Sequence, residues 1–481
     1  MKNRSLFKAL MLVLLAAVLL TCAVNPVTGK RELMLLSEAD EVALGQQTDA
    51  EVIATYGLYE DAALTAYVAQ VGQKMTALSH RPGLKYSFKV LDTPVVNAFA
   101  VPGGYVYMTR GIMSYLNDEA ELAGVIGHEL GHVCARHTAT QYTRAQLAQV
   151  GLGLGSMLSE DFRKYAGIAS FGVNLLFLRF SRDNERQADD LGVEYSSKAG
   201  YDANAMAEFF NTLEQMDGSS SSSGLPEWFS THPNPEDRIG AVRRKTAEWQ
   251  QKLATNKFVT NKDQYLAAVD GMVYGDDPRQ GYVDAQAFYH PTLKFVLPVP
   301  SNWTVNNTPS QLQFLSPNQD AAIMLTAAGG QTAQAVASAF VQQSGATVQK
   351  NDAVTLNGLP VQRVLSSVTT ESGSLNVLSY FIQKDNLVYT LHGMSDPSKF
   401  SGYSSTFSGV MGQFKNLTDA SKMQIKPTLL SVKTNRNAGT VATALRSSGV
   451  AEKELATMAL LNGKKLEDRL SVNTKLKLIS K

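Results

Sequence analysis

Hydrophobic residues in the first half of the chain recur mostly at helical spacing. Residues 37–56 and 64–78 carry apolar side chains three and four positions apart, and SEADE is typical of a capped, acidic first turn. Residues 86–91 and 97–109 instead indicate strands, the second of them interrupted by a Pro-Gly-Gly turn. A long helix is predicted around residues 119–144, and another helix runs through RDNERQADDLG.

The pattern changes twice farther along the chain. Residues 217–224 (DGSSSSSG) have the composition of a flexible loop. After about residue 275, short alternating runs indicate strands, with one helix over residues 333–343. From about residue 425 the order strand–helix–helix–strand is predicted, ending in KLKLI. We therefore expect an α+β protein with boundaries near residues 34, 275 and 422.

Charge and composition exclude some classes of protein. The 481 residues include 44 Lys+Arg and 43 Asp+Glu, a net charge of +1, and 44% are hydrophobic. This balance argues against a nucleic-acid partner, because phosphate recognition needs clustered basic residues. The two cysteines cannot form a disulfide-rich scaffold.

The N-terminus indicates export. Three basic residues precede an apolar run at residues 9–20, which is too short to span a bilayer, so residues 1–21 are predicted to be a signal peptide. Leu19-Leu20-Thr21-Cys22 resembles a bacterial lipobox, with Cys22 as the lipidated residue, residues 22–34 as a tether and the outer membrane as destination. Thr21 departs from the Gly, Ala or Ser of that pattern, and a cleaved signal beside an incidental cysteine is the alternative.

Residues 125–137 (VIGHELGHVCARH) carry the strongest chemical signal. His128 and His132 lie four residues apart, so on a helix both imidazoles leave the same face and can bind one Zn²⁺ per chain. Glu129 lies beside them as a candidate general base. The alternative is a solvated helix with two unrelated histidines, but the flanking residues are apolar, and buried histidines would need partners.

A catalytic zinc needs a third protein ligand and an open position. The candidate is Glu185, with Asp189 one helical turn later as a hydrogen-bond acceptor for a ligand imidazole. Taken alone, these two carboxylates could equally form salt bridges with Arg182 and Arg186 on a solvated face.

These motifs resemble zinc metallopeptidase family forty-eight, which includes HtpX-like and CAAX-prenyl proteases, and within it an exported lipoprotein branch. The stretches that carry the resemblance are NPVTGKRELMLLSE, NAFAVPGGYVYMTRG, GHELGHVCARH, SRDNERQADDLG and THPNPEDRI, within residues 25–250. The resemblance implies His128, His132 and Glu185 as zinc ligands and Glu129 as the base. It also implies that His232 either stabilises the oxyanion or binds zinc as a fourth ligand that holds the resting enzyme shut.

Two further residue sets depend on the resemblance. Arg238 is a candidate for binding the oxyanion or a substrate carboxylate, with a salt bridge to Glu236 or Asp237 as the alternative. Residues 97–100 are expected to form an edge strand that binds an extended substrate through the main chain. The substrate-binding residues are then Asn97, Ala98, Phe99 and Ala100. A plain core strand is the alternative for this segment.

The predicted organisation follows from these parts. Residues 35–275 are expected to be a mainly helical zincin-type metalloprotease domain with a small edge-strand sheet, and residues 280–415 an α+β accessory domain. Residues 422–481 resemble a small LysM-like module, which implies contact with peptidoglycan, and a plain dimerisation or packing unit is the alternative for this segment. The resemblance implies a periplasmic zinc endopeptidase acting on unfolded or misassembled exported proteins. An assembly factor or holdase with a latched or structural zinc site is the alternative. A thiol enzyme using Cys134 is not supported, because Cys134 lies off the ligand face.

Overall fold

The computed structural model describes residues 22–151, 180–219, 228, 231–232, 237–370 and 373–480. The chain divides into two compact units, the first comprising Leu58–Gly275, Thr428–Ser480 and the residues before 54, and the second comprising Asp276–Pro427 with residues 54–57. The predicted signal peptide, the side chain of Cys22 and residues 220–224 of the predicted loop lie outside the described residues. The α+β class is confirmed by the observed helices and sheets.

A short hairpin, two helices and a small sheet open the described chain. They are β1 (Cys22–Val24), β2 (Arg31–Leu33), α1 (Glu38–Tyr56), α2 (Ala62–Thr76), β3 (Ser87–Leu91), β4 (Ala98–Val101) and β5 (Tyr105–Thr109). The last three strands form a sheet in the order β3-β5-β4, in which β5 is parallel to β3 and antiparallel to β4. Strand β4 therefore lies at an edge of this sheet.

Seven helices follow among the described residues of this part of the first unit. They are α3 (Arg110–Tyr115), α4 (Glu119–Cys134), α5 (His137–Gly151), α6 (Arg182–Lys198), α7 (Asn204–Ser219), α8 (Arg238–Leu253) and α9 (Lys262–Val269). Helix α4 begins after Asp118, whose carboxylate accepts the Glu121 N–H at 2.9 Å, and all 16 of its residues are buried. The prediction of one helix over residues 119–144 is wrong, because Arg136 adopts a φ of 57° and separates α4 from α5. Helix α7 also includes residues 217–219 of the predicted loop.

Glycines allow α4 and α6 to pack closely. A Cβ atom at Gly127 would lie 3.0 Å from the Gly192 carbonyl oxygen, and one at Gly131 would lie 2.9 Å from the Ala188 Cα. From the other side, a Cβ atom at Gly192 would lie 3.0 Å from the His128 nitrogen. The two backbones are therefore near enough for side chains of α6 to reach the histidines of α4.

The second unit is dominated by strands. Its elements are β6 (Tyr282–Asp284), β7 (Ala287–His290), β8 (Phe295–Pro298), β9 (Thr304–Asn307), β10 (Leu312–Leu315), β11 (Ala321–Gly329), α10 (Ala333–Ser344), β12 (Thr347–Leu356), β13 (Leu359–Thr370), β14 (Gly373–Lys384), β15 (Leu387–Ser395), α11 (Pro397–Met411), β16 (Lys415–Asn416) and α12 (Ala420–Met423). They include an antiparallel sheet in the order β12-β13-β14-β15-β11-β10-β9, on which α10 and α11 pack, and a four-stranded sheet in the order β16-β8-β7-β6.

The C-terminal segment returns to the first unit. It contains β17 (Leu429–Thr434), β18 (Gly439–Thr440), α13 (Val441–Ser447), α14 (Leu455–Leu461), β19 (Arg469–Leu470) and β20 (Lys475–Ser480). Strands β17 and β20 pair antiparallel around the two helices, and residues such as Leu430, Leu445 and Leu461 join the same buried core as α4. The LysM-like identity and the domain boundaries stay predictions. No helix in the described part of the chain has both the length and the hydropathy needed to cross a membrane.

Candidate metal centre

Helix α4 presents the two motif histidines on one buried face. The Nε2 atoms of His128 and His132 lie 3.1 Å apart, and the two side chains have at most 1% exposed area. This separation follows from the four-residue spacing, which places the second imidazole one turn after the first. Glu129 follows His128 on the same helix and is also buried.

Helix α6 brings Glu185 to the same point. Its capping box, formed by Ser181 and Asn184, fixes the start of the helix four residues before the ligand. Glu185 Oε1 lies 3.5 Å from His132 Nε2, and Glu185 Oε2 lies 3.6 Å from His128 Nε2. Arg186, which could have paired with Glu185, instead pairs with Asp183 at the surface.

A fourth group, His232, lies on the same point from a distant part of the chain. Its Nδ1 is 3.2 Å from His128 Nε2 and 3.1 Å from Glu185 Oε1. The His232 ring stacks on Trp228 at a centroid distance of 4.3 Å, and the centroid of the Phe180 ring lies 5.7 Å from that of His232. The imidazole is therefore held among aromatic rings with its Nδ1 directed at the other three groups.

The four groups fit a tetrahedral metal ion. Donor atoms about 2.0–2.1 Å from a tetrahedral ion lie roughly 3.3 Å from one another. The separations given above are 3.1–3.6 Å, with Glu185 Oε2 measured to His128 and Glu185 Oε1 measured to the other two histidines. In addition, Glu185 Oε2, Glu129 Oε1 and His232 Nε2 are buried without a hydrogen-bond partner among the described residues. Nitrogen and carboxylate donors buried in this way are what a Zn²⁺ site requires. Among the described residues, His128, His132, Glu185 and His232 form a group whose arrangement could hold a metal ion.

Asp189 and Arg238 form a second layer behind His128. Asp189 Oδ1 lies 2.8 Å from His128 Nδ1, so the carboxylate can fix the imidazole with Nε2 free for the metal. Arg238 donates to both carboxylate oxygens of Asp189, at 2.8 and 2.7 Å. The structure thus places Arg238 on Asp189, while the alternative partner Asp237 pairs with Arg244. Arg238 Nη2 also lies 3.6 Å from Glu185 Oε2.

Burial and neighbouring charges shift the ionisation of these groups. Burial raises the pKa of Glu129, although the nearby His232 and His128 oppose this effect. For Glu185 burial acts in the raising direction, but His232, His128 and Arg238 together lower the pKa below its ordinary value. Burial, followed by the charge of His128, keeps the pKa of His132 well below its ordinary value. Glu185 is therefore favoured as a carboxylate and His132 as a neutral imidazole, the forms that bind metal. For His232, by contrast, burial acts to lower the pKa, but Glu185 and Glu129 outweigh it, so the pKa is raised above its ordinary value.

The predicted substrate strand lies beside the base. Strand β4 packs beside α4, and the Ala100 backbone N–H lies near enough to Glu129 to act against the rise in the pKa of its carboxyl. Ala98 and Phe99 pair with Met108 and Tyr107 of β5, and Asn97 pairs with Thr109 immediately before the strand. Ala100 thus lies beside the predicted base, and the substrate-binding role of residues 97–100 stays a prediction. The Val96 carbonyl also accepts the Trp228 N–H at 3.3 Å.

Sequence reasoning missed several residues at this centre. His137 Nδ1 lies 3.0 Å from His132 Nδ1, and Gln187 Oε1 lies 2.9 Å from His137 Nε2. Burial lowers the pKa of His137 to about 4. Phe180 packs on His132 at 4.0 Å between ring centroids, and Trp228 stacks on His232. The only available signal was proximity in sequence, since His137 and Gln187 follow motif residues within five positions.

The chain is similar to known metallopeptidases. The family model described as peptidase family M48 matches residues 62–246. A putative beta-barrel assembly-enhancing protease of Vibrio cholerae is 33% identical over 215 residues, 43% of each chain. The beta-barrel assembly-enhancing protease of Escherichia coli K12 is 30% identical over 241 residues, 48% of each chain.

A eukaryotic relative matches over more of its length. The mitochondrial metalloendopeptidase OMA1 of Schizosaccharomyces pombe is 34% identical over 238 residues, which are 48% of this chain and 68% of that protein. By contrast, the chain spans less than half of the length of the two assembly-enhancing proteases. The matched residues include the whole HExxH helix, Glu185 and Asp189. The chain belongs to peptidase family M48.

Proposed function

We propose that this protein is a zinc metalloendopeptidase with His128, His132 and Glu185 as ligands to one Zn²⁺ per chain. The observation that carries the proposal is the convergence of these three donors, with Glu129 beside them, in a buried cluster of tetrahedral dimensions. A catalytic zinc site combines three protein ligands with a position for water or substrate. The names of the relatives, which include metalloendopeptidases, support the same activity.

The roles of the residues follow from their positions. Bound zinc supplies a Lewis acid that polarises a carbonyl and acidifies water. Glu129 accepts the proton of the attacking water and returns it to the leaving amine, and its raised pKa brings it nearer to the working pH of a base. Asp189 holds His128 in the ligating tautomer, and Arg238 holds Asp189. Arg238 is thus better placed to fix the ligand set than to bind substrate directly.

The substrate class rests on strand β4. An unpaired strand edge binds any extended peptide through main-chain hydrogen bonds, so it favours unfolded chains over one particular sequence. Because Ala100 lies beside Glu129, a peptide added along this edge would pass the base. We infer that the substrates are unfolded or misassembled exported proteins. The names of the relatives from Vibrio cholerae and Escherichia coli, which refer to β-barrel assembly, favour this class.

The position of His232 favours a latched resting state. With its Nδ1 as a fourth ligand, the metal would have no open position, and its Nε2 faces Glu129 Oε1 at 3.6 Å. The same segment bonds the Val96 carbonyl through Trp228, next to the substrate strand. Movement of this segment would expose the metal, the base and the strand together, after which His232 could serve as an oxyanion donor. A holdase that stays latched is the second candidate function, and this closed geometry supports it.

The cellular setting is a separate part of the proposal. The signal sequence and the lipobox-like residues ending at Cys22 support an exported protein held at the outer membrane by a lipid. Residues 280–415 would then be an accessory domain, and the C-terminal segment would contact peptidoglycan if it is LysM-like. Acylation of Cys22 can be tested by mass spectrometry of the mature N-terminus.

Cleavage of an unfolded exported protein tests the activity. Glu129→Gln keeps the shape and the ligands but removes the base, so we expect bound zinc at wild-type stoichiometry and a rate about 10²–10⁴-fold lower. Glu208→Gln, an exposed change on α7, is the matched control and should cut normally. Normal cleavage by Glu129→Gln would contradict the assignment of the base.

The latched alternative needs its own arm. If His232 latches the enzyme, His232→Ala opens the fourth position, and the variant should cut faster or with a shorter lag than wild type. If His232 instead stabilises the oxyanion, the same change removes a hydrogen-bond donor and the rate should fall. If zinc is bound but wild type, Glu129→Gln and His232→Ala all fail to cut, the holdase function is favoured.

A further inference from the structure

A turn in the left-handed region directs His137 back onto the metal centre. After α4 ends, Arg136 adopts a φ of 57°, a conformation that is unfavourable for a residue other than glycine. Its guanidinium holds this turn by donating to Glu41 at 2.5 Å and to the Leu36 carbonyl at 2.9 Å. Consequently His137, the first residue of α5, is 3% exposed and touches the outer side of a predicted ligand.

Metal binding by His132 would fix the direction of the hydrogen bond between His132 and His137. If His132 binds the metal through Nε2, its Nδ1 carries the proton and must donate it. The atom 3.0 Å away is His137 Nδ1, which therefore accepts and bears no proton. The proton of His137 is then on Nε2, where Gln187 Oε1 accepts it at 2.9 Å. One orientation satisfies all four atoms.

We propose that His137 is a positioning residue that holds the ligand His132 in its metal-binding tautomer and orientation, with Gln187 fixing the tautomer of His137. The inference rests on the proposed metal site. Groups behind metal-ligating imidazoles raise the ligand basicity and fix the ring, and their loss typically costs about 10–100-fold in metal affinity. His137 does for His132 what Asp189 does for His128.

The two supports differ in charge. His128 is backed by an ionised carboxylate that a guanidinium holds, whereas His132 is backed by a neutral imidazole and an amide. A carboxylate behind His132, like that of Asp189 behind His128, would add negative charge to a cluster that already contains the buried side chains of Glu185 and Glu129. A neutral relay orients the ring without that cost.

Packing alone is the competing explanation, because the His132 ring also contacts Phe180. Leucine and asparagine separate the two explanations, since their side chains have the same number of heavy atoms and both branch at Cγ, and leucine fills at least as much volume as asparagine. His137→Asn places an amide oxygen near the position of Nδ1, and His137→Leu removes the acceptor. The difference between these variants therefore reports the hydrogen bond rather than the filled volume.

The test is zinc affinity of the full chain, measured by competition with a chromophoric chelator. We expect His137→Leu to bind zinc about 10–100-fold more weakly and His137→Asn to stay within about threefold of wild type. The thermal midpoints of the two metal-free variants should agree, which shows that the difference does not arise from folding. Gln187→Met should lower zinc affinity less than His137→Leu does. Gln187→Glu, which keeps an acceptor for His137, should not lower zinc affinity.

Each other outcome is informative. If the leucine and asparagine variants bind zinc equally, whether normally or weakly, His137 only fills space and the proposal is overturned. If wild type itself binds no zinc in the same titration, the proposed metal site fails before the relay is tested. Wild-type binding with a specific loss in His137→Leu supports both.

Discussion

The two ends of helix α4 both bury ionisable groups, but they satisfy them differently. Near its C-terminal end, the donors of His128 and Glu185 converge on one point, and carboxylate oxygens there have no hydrogen-bond partner among the described residues. Before its N-terminal end, Lys477 Nζ donates to the carbonyls of Ser114 and Leu116 at 2.6 and 2.5 Å, and Glu121 Oε2 accepts the Asn117 N–H at 2.7 Å.

This difference between the two ends of α4 distinguishes buried groups that serve metal binding from buried groups that stabilise the fold. Buried polar atoms without partners are costly, so a cluster of them facing one point is typical of a ligand-binding site rather than of a structural network. Lys477 instead caps the C-terminal carbonyls of α3, where a cation is favourable. Changes at the metal end should therefore alter metal binding, and changes at the N-terminal end should alter folding alone.

Arg238→Met should give the largest effect, because it removes the buried ion pair between Arg238 and Asp189 at the metal end. Asp189 would remain buried with a charge that, among the described residues, keeps His128 as its hydrogen-bond partner, which costs about 3–5 kcal/mol of unfolding free energy. Methionine retains contact with Phe210, on whose ring Arg238 lies at 4.0 Å. Urea denaturation of the metal-free protein measures the loss.

The matched control lies on the same helix. Arg243 also pairs with a carboxylate, Glu208, but both side chains are 55% exposed, so Arg243→Met should change stability by less than about 1 kcal/mol. If both variants lose the same free energy of unfolding, burial does not make the Arg238–Asp189 ion pair more stabilising than an exposed pair. The division of the metal end into two layers would then fail.

Lys477→Met should have a smaller effect of a different kind. It leaves two carbonyls without their donor, which costs about 1–3 kcal/mol of unfolding free energy, partly offset because no ammonium is buried. Zinc affinity should stay within about twofold, since the metal end is untouched. Lys475→Met is the control, because Lys475 is 37% exposed in a surface pair with Asp263. A loss of zinc affinity without a loss of stability would reverse the comparison.

The metal end was largely predictable from sequence, and the N-terminal end was not. The His128–His132 spacing is local, and one helical turn suffices to place both rings. Glu185 needed the family resemblance, because its approach depends on the contact between α4 and α6. Lys477 could not have been identified, since alternation in KLKLI predicts an exposed lysine between two buried leucines, whereas its side chain is fully buried.

The same distinction applies to the fold. Amphipathic helices and alternating strands were found because each pattern is local. The break at Arg136 was missed, because a left-handed turn there depends on Glu41, 95 positions earlier. Return of the C-terminal strands to the first core was also missed, because apolar residues such as Leu430 and Leu461 do not encode which core they join.

The smallest expected effect, taken per pH unit, is a pH dependence at the N-terminal end. Burial, followed by the charge of Asp118, raises the pKa of Glu121 to about 8, although the Asn117 N–H and Lys477 oppose it. Between pH about 4.5 and 8 the folded protein keeps a proton that the unfolded chain has lost. The contribution of Glu121 to stability is therefore complete below this window and falls as the pH rises through it. Burial lowers the pKa of Lys477 to about 7, which acts in the opposite direction above that pH.

Glu121→Gln isolates this contribution. The amide oxygen can still accept the Asn117 N–H, but the group no longer titrates. The stability of wild type minus that of the variant should fall from pH 5 to pH 8, by no more than about 1.4 kcal/mol per pH unit for one proton. Lys477 is present in both proteins, so most of its own dependence cancels in the difference. Urea denaturation at several pH values measures the curves. Parallel curves would mean that Glu121 is ionised in the folded protein as an ion pair with Lys477, and zinc affinity should be unchanged in either case because the metal end is not involved.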